Sequence, residues 1–214
     1  MIKKIKADIC VIGAGSAGLS VAAGAAQLGA RTVLIERGEM GGDCLNAGCV
    51  PSKALIAAAR HAYDMMDGER FGIARAKPKI DFAKVNAHVH GVIKAIAPND
   101  SVERFEGLGV TVIKGEAQFK DRRTVMVGSN EVRARRFVIA TGSRATIPPL
   151  PGLGSVPFLT NETIFSLTEC PAHLIIIGAG PIGMEKAHAH RRLGAQVTVL
   201  DAAHPLATAD PALT

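Results

Sequence analysis

The chain has 214 residues, 48% of them apolar and 21% charged, which suits a globular protein with a buried core and room for one large domain or one domain and part of another. With no Trp, one Tyr and 23 Gly, it lacks the aromatic platform of a single-strand nucleic-acid binder and favours close approaches of backbone. The formal charge of +6 falls in short groups, Lys3-Lys4, Arg122-Arg123, Arg133-Arg135-Arg136 and Arg191-Arg192, which read as solvated faces, so no nucleic-acid partner is expected.

At the start, basic Lys3, Lys4 and Lys6 precede a stretch from Ile9 to Ala30 with no charged residue, a pattern that mimics a secretory leader or a membrane span. Gly13, Gly15, Gly18, Gly24 and Gly29 interrupt it, and it resolves into a short strand, a glycine turn and a helix. No membrane association is expected. Four Cys are too few for a secreted disulfide scaffold, which makes the cytoplasm the expected compartment. Cys10 lies in an apolar strand and Cys170 precedes Pro171 in a connector, so both read as inert structural thiols.

Further along, Leu45 to Met66 and Phe82 to Phe105 are predicted helices, and Val110 to Lys114, Thr124 to Val127 and Glu131 to Ile139 are predicted strands joined by polar turns. This meander leads into Ala140-Thr141-Gly142. Pro148, Pro149 and Pro151 open a connector that runs to about Pro171.

After the connector the first unit returns. Asp8 to Glu36 reads DICVIGAGSAGLSVAAGAAQLGARTVLIE, and His173 to Asp201 reads HLIIIGAGPIGMEKAHAHRRLGAQVTVLD, at a constant spacing of 165 residues. Gly13, Gly15 and Gly18 repeat as Gly178, Gly180 and Gly183, and the terminal acid Glu36 repeats as Asp201. Each copy reads as strand, glycine turn, helix, parallel strand. One GxGxxG turn is a weak signal, but two in matched context point to dinucleotide binding. The first Gly permits the turn, the second lets backbone approach a pyrophosphate, and the third lets helix pack on strand. The helix N-terminus favours the anion, and the terminal acid accepts hydrogen bonds from ribose hydroxyls. A carboxylate there repels a 2'-phosphate, so Asp201 favours NADH over NADPH.

Directly after the first acid comes Gly41 to Lys53, GGDCLNAGCVPSK. Cys44 and Cys49 lie close enough at a helix mouth to form a disulfide, and a helix N-terminus favours the thiolate. So short a loop removes only about 2 kcal/mol of unfolded-chain entropy, against about 4.7 for a long one, so redox exchange explains the pair better than stapling does. Two buried thiols or half of a zinc site are the alternatives, and no second Cys pair or nearby His completes a metal cage.

With this motif the sequence resembles the class I pyridine nucleotide-disulfide oxidoreductases, the family of dihydrolipoamide dehydrogenase, glutathione reductase and mercuric reductase. The resemblance covers nearly the whole chain. It rests on GAGSAG, Glu36, GGDCLNAGCVPSK, Ala140-Thr141-Gly142-Ser143, and GAGPIG followed by Met184-Glu185. It implies an α/β protein: a Rossmann-like FAD-binding domain with a parallel sheet, helices and a β-meander over 1–150, a connector over 151–171, and over 172–214 the first βαβ of an NAD(P)-binding domain. FAD would be held by Gly13, Gly15, Gly18, Glu36, Gly41, Gly42, Thr141 and Gly142, with Lys53 near flavin N5 and Ala117 backbone beside the adenine. NAD would be held by Gly178, Gly180, Gly183 and Asp201.

The resemblance further implies electron transfer between NADH, FAD and a Cys44–Cys49 disulfide. Cys49 lies nearest the flavin, and Cys44 is the interchange thiol for a small dithiol or disulfide substrate, with mercuric ion as the alternative. Lys53 stabilises charge on the reduced flavin, and Glu185 resembles the acid that pairs with it. Two departures stand out. Asp43 replaces a usual Thr or Ser and disfavours the neighbouring thiolate, and Lys186 and His188 occupy usually apolar or small positions.

Family members are longer. They carry a Gly-Asp segment that completes the FAD site, the rest of the NAD domain, and a dimerisation domain whose His-Glu pair serves the thiol across a homodimer. None of the seven His here lies in that motif. The expectation for this chain alone is therefore weak turnover, poor FAD retention and self-association. A non-catalytic dinucleotide-binding fragment and a flavin-linked reductase without a disulfide step are the competing readings.

Overall fold

A computed structural model describes residues 2–207, 209, 210 and 212; the final residues of the expected 172–214 segment thus lie partly outside it. In chain order the elements are β1 (Lys3–Ile12), α1 (Ser16–Gln27), β2 (Thr32–Glu36), α2 (Gly42–Asn46), α3 (Cys49–Asp64), α4 (Phe82–Ile96), α5 (Val102–Gly107), β3 (Thr111–Lys114), β4 (Gln118–Asp121), β5 (Thr124–Val127), β6 (Asn130–Ile139), β7 (His173–Ile177), α6 (Pro181–Arg192) and β8 (Gln196–Leu200). They divide into two compact units, residues 1–48 with 93–156 and residues 49–92 with 157–214. Each is assembled from two stretches of chain.

The first unit is built on a six-stranded sheet of order β3-β2-β1-β6-β5-β4. β3, β2, β1 and β6 run parallel, and β6, β5 and β4 form an antiparallel meander. Side chains alternate across the sheet. Cys10, Val33, Ile35 and Ile113 therefore share one core with Val125, Val127 and Val132 of the meander. On the opposite face, Val11 and Leu34 meet Leu19 and Ala22 of α1 and Phe105 of α5. Leu34 is fully buried, so its truncation to Ala should cost about 2–5 kcal/mol.

The sequence reading of β3, β5 and β6 matches the strands to within a residue. β4, which it did not include, has four exposed residues and a register shift against β5. The helix expected from Phe82 to Phe105 is interrupted: α4 ends at Ile96, Pro98 stands in a 3₁₀ turn, and Ser101 caps α5 by accepting the Arg104 N–H at 3.2 Å. The helix expected from Leu45 to Met66 breaks at Ala47-Gly48. The chain turns there between α2 and α3, and a β-carbon at Gly48 would lie 2.8 Å from the Asp43 carboxylate, which leaves glycine as the residue that fits.

In the second unit β7 and β8 pair in parallel, His173 with Gln196 through Ile177 with Leu200, and α6 connects them. α3 packs on α6 through small side chains, Ala54, Ala59 and Ala62 on one helix and Ala187 and Ala189 on the other. Asn86 of α4 donates to the Phe165 and Leu167 carbonyls at 2.7 and 2.9 Å, fastening the connector to that helix. Cys10 is fully buried, as read from sequence, and Cys170 is half-buried with its sulfur 3.7 Å from the Leu193 carbonyl oxygen. Of the basic groups read as solvated, Arg192 is the exception: it is half-buried, with its guanidinium 4.4 Å from the centre of the Tyr63 ring.

Candidate active site

The three glycines of the first turn have three different physical reasons to be glycine. Gly13 has φ +104°, in the left-handed region, and a β-carbon there would lie 2.2 Å from the Ala140 carbonyl oxygen. Gly18 has ordinary φ, but its β-carbon would lie 1.8 Å from the Gly13 carbonyl oxygen. At Gly15 the nearest atom to such a carbon is 3.9 Å away, the Gly42 Cα. The protein itself therefore leaves Gly15 open, which is what a phosphate approaching backbone requires.

The second turn repeats this in its own unit. Gly178 has φ +111°, Gly183 would place a β-carbon 2.0 Å from the Gly178 carbonyl oxygen, and Gly180 meets nothing within 4 Å. Neither α1 nor α6 has a side-chain cap or an acid in its first turn, so neither helix supplies an anion of its own to its N-terminal amides.

Each terminal acid is tied to its turn. The Glu36 carboxylate accepts the Ala14 N–H and the Gly38 N–H, both at 2.6 Å. The Asp201 carboxylate accepts the Ala179 N–H at 2.6 Å and the Ala203 N–H at 2.9 Å. These hydrogen bonds hold the Asp201 carboxyl below the usual carboxylate range, so it is ionised at neutral pH. The repeat continues past the acids. Gly41 N–H donates to the Ala14 carbonyl at 2.9 Å, and Leu206 N–H donates to the Ala179 carbonyl at 2.9 Å. Both donors have positive φ, +86° and +54°.

Around the first turn the structure gathers most of the expected FAD residues. Gly41 bridges to Gly15, and a β-carbon on Gly42 would lie 2.7 Å from the Gly15 Cα. Thr141 follows Ala140, whose N–H donates to the Ile12 carbonyl at 2.8 Å. Gly142 has φ +70°. Ala117 lies just beyond β3, half-buried beside the meander core. The glycine cradle and its acid fit a dinucleotide at each turn.

Cys44 lies on α2, which Asn46 secures by donating to the Met40 and Gly42 carbonyls at 3.0 and 2.9 Å. The thiol is half-buried and lines a cleft of about 360 Å³ with Ser16, Ser20, Gly41, Asp100 and Arg104. Sequence reasoning missed this cleft, because Ser16 and Arg104 lie far apart in the chain and only α5 packing beside α1 brings them together.

Cys49 opens α3 and is exposed. Lys53, one turn further on, is exposed, as is Glu185 on α6. The hydrogen bond that ties α6 to this turn of α3 is made by Lys186, which donates from Nζ to Ser52 Oγ. Lys186 was visible in the sequence only as a departure from a usually apolar position. Among the described residues no group of three or more His, Cys, Asp or Glu could hold a metal ion, and no helix is long and apolar enough to cross a membrane.

Two glycine-turn units, one followed directly by a cysteine motif, define an α/β protein of the dinucleotide-binding class. The family model for pyridine nucleotide-disulphide oxidoreductases matches residues 7–214, and the chain belongs to that family, whose members use FAD and a nicotinamide nucleotide. It is similar to mercuric reductase from Bacillus cereus, 36% identical over 193 residues, covering 90% of this chain and 31% of that protein. It is also similar to dihydrolipoyl dehydrogenase from Geobacillus stearothermophilus, 38% identical over 205 residues, covering 93% and 43%. Among solved structures it matches the Cu(II) complex of HOCl-induced flavoprotein disulfide reductase RclA from Escherichia coli with a TM-score of 0.81 and 28% identity, covering 96% of this chain and 44% of that one. The chain spans under half the length of each.

Proposed function

We propose that this chain carries the FAD-binding and thiol-bearing part of an NADH-linked disulfide oxidoreductase, resembling dihydrolipoamide dehydrogenase, with a small dithiol or disulfide substrate. The observation that carries the reading is Cys44 facing a cleft beside the glycine turn. Gly13, Gly15, Gly18, Glu36, Gly41, Gly42, Thr141 and Gly142, with Lys53 and Ala117, would hold FAD. When bound, FAD supplies the two-electron carrier between nicotinamide and sulfur. Gly178, Gly180, Gly183 and Asp201 would hold the nicotinamide nucleotide, and the ionised Asp201 supports NADH over NADPH by repelling a 2'-phosphate. The division at 1–150, 151–171 and 172–214 and a homodimer follow from the same resemblance, and a cytoplasmic setting from the low cysteine count.

In the disulfide-reducing direction the Cys44 thiolate attacks one sulfur of the substrate. The substrate S–S bond breaks, a mixed disulfide forms, and the first thiol leaves with one proton. The Cys49 thiolate then attacks Cys44 Sγ, forming the Cys44–Cys49 bond and releasing the second thiol with a second proton. Substrate gains two electrons and the cysteine pair loses them. Lys53 and Glu185 stand on the two packed helices of the second unit, where a cation favours negative charge on a reduced partner.

The test is NADH-dependent reduction of a lipoamide-type disulfide by FAD-loaded protein, with C44S and C49S alongside. Loss of turnover in both variants, with a long-wavelength absorbance band that NADH induces and C49S lacks, is the expected result. Unchanged turnover in C49S would favour a reductase that bypasses sulfur. A second reading, mercuric ion as substrate, is favoured by the similarity to mercuric reductases; mercury-dependent NADH oxidation without lipoamide turnover would select it.

A further inference from the structure

Lys186 is only 5% exposed, and lysine is almost never fully buried unless its ammonium is paired. Its Nζ donates to Ser52 Oγ and lies 4.4 Å from the centre of the Phe165 ring. Ser52 is itself 6% exposed and stands three residues after Cys49, the first residue of α3. Residues three apart on a helix are neighbours on one face, with β-carbons about 5–6 Å apart. The ammonium is therefore pinned, by a hydroxyl on one side and an aromatic face on the other, at the level of the helix turn that carries Cys49.

From this geometry we infer that Lys186 supplies a fixed positive charge to the sulfur of Cys49 and stabilises anionic species that react there. The inference rests on the reading of Cys49 as a reactive redox sulfur. Lys53, also within a turn of Cys49, and Glu185, beside Lys186, are exposed, so solvent and salt screen their charges. Lys186 is withdrawn from that screening, and its field reaches further for the same separation. His190, one turn on along α6, is held neutral at physiological pH: burial pushes its pKa below the ordinary 6.5. It adds no competing charge.

Iodoacetate, an anion, and iodoacetamide, a neutral reagent, both consume the thiolate of a cysteine. The ratio of their rates at one sulfur cancels the fraction ionised and reports the local field. Measured at Cys49 on the full reduced chain at low ionic strength, by peptide mass spectrometry, the iodoacetate-to-iodoacetamide ratio should fall about two- to threefold in K186M and stay at the wild-type value in K186R. If K186M shows no cooperative melt, K186Q, which keeps an amide donor for Ser52, replaces it. A neutral variant with the wild-type ratio overturns the role of Lys186. Neither reagent needs flavin or NADH, so that outcome is separable from the turnover test. An unchanged ratio alongside inactive C49S removes Lys186 alone, and a changed ratio alongside fully active C49S removes the redox reading alone.

Discussion

Gly18 lies so near the Gly13 carbonyl that a β-carbon on it would sit 1.8 Å from the oxygen, whereas one on Gly15 would meet nothing closer than 3.9 Å. The two glycines of one turn are thus under different constraints. Gly18→Ala should destabilise the first unit by several kcal/mol, because a backbone carbonyl must move and α1 must lift from β1. Gly15→Ala should melt within about 1 kcal/mol of wild type yet lose most of its FAD affinity. Thermal melts and FAD fluorescence titrations on both variants check this; equal loss of stability in the two would contradict it.

The Glu36 carboxylate satisfies the Ala14 and Gly38 N–H groups. Glu36→Ala removes the acceptor of both donors and should cost about 1–3 kcal/mol, with weaker FAD binding in addition. Glu36→Gln keeps one carbonyl oxygen and should fall between. Urea titration of the three proteins gives the order directly.

His190 is buried on α6. Burial lowers its folded pKa below the ordinary 6.5, so the unfolded chain binds the extra proton first. Its stabilising contribution is therefore complete above about pH 6.5 and is lost as pH falls from there toward the folded pKa. Urea midpoints should decline between pH 7.5 and 5.5, and His190→Phe should flatten that decline. A midpoint that rises on acidification would refute the sign.

Burial pushes the Cys10 thiol up to about 12, while Cys49 is exposed at a helix start. Iodoacetamide at pH 8 should label Cys49 in the native protein and spare Cys10 until denaturant is added. Peptide mass spectrometry before and after unfolding distinguishes the two.

The glycine turns, their acids and the parallel strands were legible in the sequence because each depends on local spacing. The repeat from Gly13 to Glu36 and from Gly178 to Asp201 is matched bond for bond in the structure. What escaped the sequence depends on tertiary packing. β4 shows no apolar alternation, since it is exposed and held by β5 alone. The break at Gly48 brings backbone against the Asp43 carboxylate, where a side chain would not fit, and the cleft at Cys44 needs α1 and α5 together. Lys186 resembles any solvated helix lysine until α3 covers it.

Both terminal carboxylates are anchored through two backbone amides apiece. Side chains so immobilised have little rotamer freedom left to forfeit when a diol docks, which lowers the entropic penalty of association. For Asp201, swinging aside from a phosphorylated sugar would mean giving up both of its backbone hydrogen bonds. If Asp201 sets a preference for the unphosphorylated ribose as proposed, replacing the carboxylate itself is the direct way to relax it, because moving it aside would strip both amides of their acceptor.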